Sequence, residues 1–125
     1  MERLYPNDID VKTLSPLVLA LVGDGVYELM VREKLASETN RTVNDMHKQA
    51  VAVVRAEAQA AAMEKLIPLL TETEAGVYRR GRNAHTARTG QDYHRATGLE
   101  TLFGYLYLKG DIARVRELFA VCMDD

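Results

Sequence analysis

Residues 15–37 read SPLVLALVGDGVYELMVREKLAS, and one acid, Asp24, stands in the middle of this largely apolar run. Gly23 and Gly25 flank the acid. In a helix each glycine costs about 1 kcal/mol relative to alanine, and an acid that is buried without a partner costs more. The stretch therefore predicts one of two things: a site that uses Asp24, or a segment that is not a helix.

Two local structures compete for this stretch. Ser15 is a favourable N-cap and Pro16 a favourable first residue, which together predict a helix. The alternative is a hairpin, with the Asp-Gly pair as the turn between two apolar strands. We favour the helix because no other segment offers strands for pairing, and an isolated hairpin is only marginally stable. Helical spacing then places Asp24 on the same side as the apolar Leu17 and Leu21.

The rest of the chain also carries helical patterns. Thr42 with Asp45 resembles a capping box before an alanine-rich helix, which Pro68 should end or kink. Thr71 is suited to cap the next segment, and Gly110 fits a helix C-terminus. The predicted helices cover residues 16–37, 43–66, 72–84, 94–108 and 112–123, and residues 85–93 read as an exposed loop. The sequence is therefore predicted to be all-α, a helical bundle.

Size and composition restrict the class of protein. At 125 residues the chain is predicted to form one domain, residues 1–125. The polar, charged start argues against a secretory signal, and the longest apolar run, residues 17–22, is too short to span a membrane. Cys122 is the only cysteine, which excludes a disulfide framework and a cysteine-based zinc site. We expect a cytoplasmic protein with Cys122 in its core.

Positive charge is concentrated in one part of this acidic chain. Residues 79–95 contain five arginines and one acid, whereas the whole chain has a net charge of −2. Such a basic cluster is typical of a protein that binds an anionic ligand at one place. The alternative is a solvated loop without a binding role. Tyr78 and Tyr93 border the cluster and either contact such a ligand or, as is usual for aromatic residues in helical patterns, pack in the core. The arginines are Arg79, Arg80, Arg82, Arg88 and Arg95.

A second acid, Glu100, stands in another apolar helical segment. Gly104 follows it by one turn and leaves room for another backbone or a ligand. If Asp24 and Glu100 converge from two packed helices, they could hold Mg²⁺, which typically takes one or two protein carboxylates and completes its shell with water and phosphate oxygens. The alternative is that both acids are exposed or paired with arginines. The three histidines lack the spacing of metal ligands.

Three strings taken together resemble a known family. They are LALVGDGVYELMVR at residues 19–32, RRGRNAHT at 79–86 and TGLETLFGYLYLKGD at 97–111. Their order and content resemble the ribonuclease III catalytic domain, in the short Mini-ribonuclease III form that lacks a double-stranded-RNA-binding domain. The match is collinear over about residues 8–123, nearly the whole chain.

The resemblance implies an all-helical homodimer that cleaves double-stranded RNA with Mg²⁺ and matures the large-subunit (23S) ribosomal RNA precursor. The products would carry 5′-phosphate and 3′-hydroxyl ends, and a ribosomal protein is a further partner that the resemblance allows. Asp24 matches the aspartate of the family's signature helix, and Glu100 matches the metal-binding glutamate of its second acidic motif. Both are expected to be catalytic and to bind metal. The residues expected to bind RNA are Arg79, Arg80, Arg82, Asn83 and Arg88.

The sequence departs from the full-length enzymes of the family at two positions. Those enzymes carry an acid one turn before the signature aspartate, where this chain has Ala20, and an aspartate three residues before the glutamate, where it has Thr97. The thinner acidic set favours one ion with more water ligands, one of which Thr97 could hold. Two other functions remain open on the residues alone. One is a non-catalytic RNA-binding or ribosome-associated adaptor, and the other is a metal-dependent phosphohydrolase of small nucleotides.

Overall fold

The computed structural model describes residues 3–38, 41–84 and 89–124. Helices make up most of these ranges and no strand occurs within them, so the predicted all-α fold is confirmed. Short 3-10 turns lie at Val11–Thr13 and Ile67–Leu69. None of the helices in these ranges combines the length and apolar character needed to cross a membrane. The helices are α1 (Pro16–Ser37), α2 (Val43–Val54), α3 (Ala56–Leu66), α4 (Glu72–Arg82), α5 (Gln91–Lys109) and α6 (Ile112–Met123).

Helix α1 begins where the sequence predicted and is not a hairpin. The Ser15 side chain accepts a hydrogen bond from the Val18 amide, and Pro16 is the first helical residue. The helix then continues for 22 residues through Gly23, Asp24 and Gly25. The hairpin alternative is therefore excluded, and the glycines within the helix need a reason in packing.

Two glycines allow α1 and α5 to cross in backbone contact. A Cβ added to Gly23 would lie 1.6 Å from the carbonyl oxygen of Glu100, and one added to Gly104 would lie 1.9 Å from that of Leu19. No side chain fits at either position, so the two glycines permit the close approach. Gly104 thus makes room for a backbone rather than a ligand. Gly25 differs, because a Cβ there would meet nothing within 4 Å.

The core lies around α5, which packs against α1, α3 and α4. Tyr27 makes edge-on contacts with Phe103 and Phe119, with ring centroids 5.2 Å and 5.4 Å apart. Cys122 is buried among these residues, as predicted. The predicted apolar face of α5 is also buried, and consists of Leu99, Leu102, Phe103 and Leu106.

The predicted helix over residues 43–66 is wrong in one respect, because it is two helices. Arg55 has φ −66° and ψ 158°, an extended conformation that separates α2 from α3. Neither proline nor glycine marks this break in the sequence. Pro68 lies in the 3-10 turn that follows α3, so its predicted helix-ending position is confirmed.

The predicted loop over residues 85–93 is also too long. Helix α5 begins at Gln91, so residues 91–93 are helical, while residues 85–88 lie outside the described ranges. At the other side of this connection α4 ends at Arg82, two residues earlier than predicted. Gly110, with φ 91°, ends α5 as the sequence predicted, since this left-handed conformation favours glycine.

Helix α4 begins with a complete capping box. The Thr71 hydroxyl accepts a hydrogen bond from the Glu74 amide at 3.1 Å, and the Thr71 amide donates to Glu74 Oε1 at 2.9 Å. Arg114 of α6 also donates to both carboxylate oxygens of Glu74, from Nε at 2.9 Å and Nη2 at 2.8 Å. Glu74 is therefore a buried acid whose charge is fully matched.

Candidate active site

The crossing of α1 and α5 brings Asp24 and Glu100 together. Gly23, the residue before Asp24, sits directly on the backbone of Glu100. The two carboxyl groups consequently face each other within hydrogen-bonding and electrostatic range. Two acids that are 76 positions apart in the sequence (residues 24 and 100) thus share one site because glycine lets their helices touch.

The two acids differ in exposure. Asp24 is exposed, whereas Glu100 is half-buried. Burial, followed by the neighbouring Asp24, raises the pKa of Glu100 to about 8, and Gln59 acts in the opposite direction. A half-buried carboxyl group that faces another acid is an unfavourable arrangement in the protein alone, and a cation between them would relieve it.

The apolar residues around Asp24 in the sequence suggested that its carboxyl group is buried, but Asp24 is exposed. The side of α1 that carries Asp24 faces outward, and its apolar residues are exposed with it: Leu17 by 41% and Leu21 by 74%. The opposite side of α1 packs in the core through Leu19, Tyr27 and Val31. Asp24 therefore avoids the desolvation cost, and the exposed apolar residues beside it need another explanation.

The donor set suits a hard divalent cation with an incomplete protein shell. Within the described ranges, no three His, Cys, Asp or Glu side chains converge on one point. Asp24 and Glu100 alone therefore supply carboxylate oxygens, which fits Mg²⁺ with water and phosphate ligands and does not fit an all-protein cage. The residues present are compatible with the cation that the sequence resemblance implies.

The two positions that lack acids are occupied by packed small residues. Ala20 is buried in α1. Thr97 is buried one turn before Glu100, and its hydroxyl donates to the Tyr93 carbonyl at 3.0 Å. The only proton of the Thr97 hydroxyl is thereby used within α5, which leaves its lone pairs as the only groups that a water could contact.

Gln59 of α3 is a site residue that the sequence analysis did not single out. It is 2% exposed, and its Nε2 lies near the Glu100 carboxyl group. Nevertheless, no group in the described part of the chain accepts a hydrogen bond from this Nε2. The only signal in the sequence is a glutamine surrounded by alanines, and that pattern does not reveal which helix it will face.

The arginine cluster forms the last turn of α4 and the surface beside it. Arg79 and Arg80 are exposed, and Arg82 is half-buried with its guanidinium 5.5 Å from the centre of the Tyr78 ring. Asn83 is exposed and accepts a hydrogen bond from Arg82 Nε at 3.3 Å. Arg88 lies outside the described residues.

Two members of this region have structural roles. Arg95 pairs with Glu64 at 2.8 Å, which reduces the charge that it offers to a ligand. Tyr78 is buried and packs against Gly98, so the core interpretation of this tyrosine is confirmed. Beside them a polar surface pocket of about 300 Å³ is lined by Arg82, Asn83, Gln91, His94 and Arg95.

The packing of α4 brings the cluster close to the acids. A Cβ added to Gly81 would lie 2.2 Å from the Thr101 hydroxyl, so the end of α4 rests on the residue next to Glu100. Gly81 stands between Arg80 and Arg82. The basic end of α4 and the acidic pair are therefore attached to adjoining parts of α5.

Comparison with known proteins gives matches to one family over most of the chain. A family model described as "Ribonuclease III domain" matches residues 17–111. The chain is 47% identical over 117 residues to a protein named Mini-ribonuclease 3 from Symbiobacterium thermophilum, covering 90% of each chain. It is 45% identical to the Mini-ribonuclease 3 of Thermoanaerobacter sp. strain X514, covering 86% of this chain and 80% of that protein.

A similar protein has been solved experimentally. The crystal structure of protein FN1578 from Fusobacterium nucleatum superposes with a TM-score of 0.80 at 28% identity. The match covers 90% of this chain and 93% of that one. The helical arrangement described above is therefore also that of an experimentally determined structure.

Proposed function

Since the chain belongs to the ribonuclease III family and is an endoribonuclease, we propose that it is a single catalytic domain over residues 1–125 that cleaves double-stranded RNA with Mg²⁺. We assign it to the cytoplasm and to maturation of the large-subunit (23S) ribosomal RNA precursor. The observation that carries the metal-dependent cleavage is the juxtaposition of Asp24 and Glu100 at the glycine-mediated crossing of α1 and α5.

The two acids have different roles at this site. The exposed Asp24 is accessible to a cation and to the RNA backbone, whereas the half-buried Glu100 holds the cation from the protein side. When bound there, Mg²⁺ would supply a Lewis acid that activates water and stabilises charge on the leaving oxygen. The direct backbone contact at Gly23 fixes the positions of the two carboxyl groups relative to each other, which favours a preorganised site. The expected products have 5′-phosphate and 3′-hydroxyl ends.

The arginine cluster is suited to hold the duplex. Guanidinium groups pair with phosphates through two parallel hydrogen bonds, and such contacts read the shape of an RNA duplex more than its sequence. In the described ranges no carboxylate forms an ion pair with Arg79, Arg80 or Arg82. We assign RNA binding to these three residues together with Asn83 and Arg88.

The exposed apolar side of α1 supports a homodimer. Leu17, Val18 and Leu21 are 41%, 43% and 74% exposed, and they lie one to two turns before Asp24. Val43 and Val51 of α2 are exposed as well, by 81% and 46%. A two-fold interface over these faces would bury them and present two equivalent acidic sites, one for each antiparallel strand of the duplex.

The test is cleavage of a long RNA duplex with and without Mg²⁺. We expect the wild-type protein to cut the duplex only with the metal, leaving single-stranded RNA and duplex DNA intact. Asp24→Asn and Glu100→Gln should each lower the rate by on the order of a thousandfold, because several kcal/mol of transition-state stabilisation is lost. Glu33→Gln, which neutralises another exposed acid of α1, is the matched control. A near wild-type rate in either site variant would contradict the assignment.

A further inference from the structure

The amide of Gln59 is buried beside Glu100, on the protein side of the acidic pair. Its side chain extends from α3, which packs on α5, and reaches the Glu100 carboxyl group, which also faces Asp24 of α1. Three helices therefore each contribute one polar side chain to the same place. Gln59 is the most buried of the three, at 2% exposure, so it does not touch a substrate directly.

This amide has a donor with no acceptor. Nε2 of Gln59 is shielded from solvent and meets no acceptor among the described residues in full hydrogen-bonding geometry, although it lies close enough to the Glu100 carboxyl group to lower the pKa of that group. A buried donor that loses its hydrogen bonds to water is destabilising. An apolar side chain of the same size would fill this space without that penalty, so packing alone does not account for glutamine.

We propose that Gln59 is a positioning residue for the metal site, whose amide donates a hydrogen bond to one carboxylate oxygen of Glu100 when the other oxygen binds the cation. The inference rests on the proposed function, because it requires Glu100 to be a metal ligand. Carboxylates that bind metals are commonly held by hydrogen bonds from a neighbouring group, and losing that group typically costs about 10- to 100-fold in metal affinity or activity.

The positions of the helices support this role. Asp24 from α1 and Gln59 from α3 both approach Glu100. Thr97, which precedes Glu100 by one turn of α5, already donates its hydroxyl proton to the Tyr93 carbonyl. Gln59, by contrast, brings to Glu100 a donor that no described residue accepts in full hydrogen-bonding geometry. By fixing one oxygen, it restricts rotation of the carboxylate and orients the other oxygen towards the side of Asp24.

The experiment compares metal binding and cleavage in Gln59→Met. Methionine has nearly the same volume and length but no donor, so a purely packing role would be preserved. Binding of Mn²⁺ to the RNA-free protein is measured from the rise in melting temperature during a titration, and the Mg²⁺ dependence of duplex cleavage is measured in parallel. We expect the half-saturating concentration of each metal to rise about tenfold or more. The melting temperature in EDTA should stay at or above the wild-type value, because an unpaired buried donor has been removed.

Two further variants complete the design. Gln49→Met makes the same substitution at an exposed position of α2 and should leave both metal titrations unchanged. Gln59→Asn keeps the amide but withdraws it by one methylene group, and it should show the same loss of metal affinity. The Asn variant decides the question if Gln59→Met does not fold.

The possible results separate this inference from the proposed function. If Asp24→Asn and Glu100→Gln abolish the Mn²⁺-dependent rise in melting temperature while Gln59→Met and Gln59→Asn titrate like the wild type, the role of Gln59 is wrong and the metal site stands. If Mn²⁺ stabilises all four variants as it does the wild type, the metal site itself is wrong. A selective loss of affinity in the Gln59 variants supports the inference.

Discussion

The protein contains two poorly exposed glutamates whose surroundings are opposite. Glu74, at the start of α4, accepts hydrogen bonds from both its capping partner Thr71 and the guanidinium of Arg114. Glu100, in the middle of α5, faces a second acid, Asp24. The Arg114 guanidinium, as the main cause, lowers the pKa of Glu74, whereas burial and Asp24 raise the pKa of Glu100.

The difference separates an acid that stabilises the fold from one that is available for chemistry. Arg114 ties α4 to α6 through Glu74 and also donates to the Leu69 carbonyl at 2.9 Å, so this cluster is complete without a ligand. The cluster around Glu100 combines two acids with an unpaired amide. A pair of acids that no positive charge in the described ranges neutralises is a candidate binding site for a cation.

The strongest test of this comparison makes the same substitution at both acids. Glu74→Gln should reduce the free energy of unfolding by about 2 to 3 kcal/mol, because Arg114 loses its charged hydrogen bonds to Glu74 and keeps only the exposed Glu117 as a counter-charge. The cleavage rate per folded molecule should remain unchanged. Glu100→Gln should show the reverse, with no loss of metal-free stability and almost no cleavage. Urea unfolding in EDTA and duplex cleavage measure the two properties.

The pH dependence of stability provides a second test of Glu74→Gln against the wild type. Because the pKa of Glu74 is lowered in the folded protein, its stabilisation is present above the unfolded value of about 4.3 and is lost as pH falls through the folded value. The wild type should therefore lose stability below about pH 4.3 more steeply than Glu74→Gln does. Equal slopes would show that the Glu74–Arg114 pair does not have the structural role assigned to it.

A smaller effect is expected from the glycines that build the acidic site. Gly23→Ala should cost about 2 kcal/mol and impair cleavage, because its Cβ would overlap the Glu100 carbonyl and force α1 from α5. Gly25→Ala should instead stabilise the protein by up to about 1 kcal/mol, since its Cβ enters open space within a helix. Thermal unfolding of the two variants side by side measures both effects. If Gly23→Ala is as stable as the wild type, the backbone contact does not set the crossing.

Local signals in the sequence were sufficient for the helix boundaries that caps define. Ser15 with Pro16, Thr71 and Gly110 each mark a terminus by a hydrogen bond or a backbone angle that one residue type favours. The break at Arg55 has no such signal, because arginine adopts both helical and extended conformations and the alanines around it favour a continuous helix. Only the tertiary arrangement selects the extended conformation of Arg55 that separates α2 from α3.

The candidate site was also predictable only where local signals in the sequence mark it. The glycines and acids of α1 and α5 indicated a special site, and the resemblance to a family indicated which acids to compare. The orientation of Asp24 was not predictable, since the apolar run around it suggested burial while the helix exposes that side. Gln59 was missed because its significance depends on α3 packing beside Glu100, a contact between distant parts of the sequence.

Equilibrium binding of Mn²⁺ to the RNA-free protein, followed by isothermal titration calorimetry, tests most directly whether Asp24 and Glu100 form one cation site. We expect saturable binding in the wild type and in Glu33→Gln, and loss of that binding in both Asp24→Asn and Glu100→Gln. Unchanged affinity in both site variants, each shown to be folded, would contradict the account.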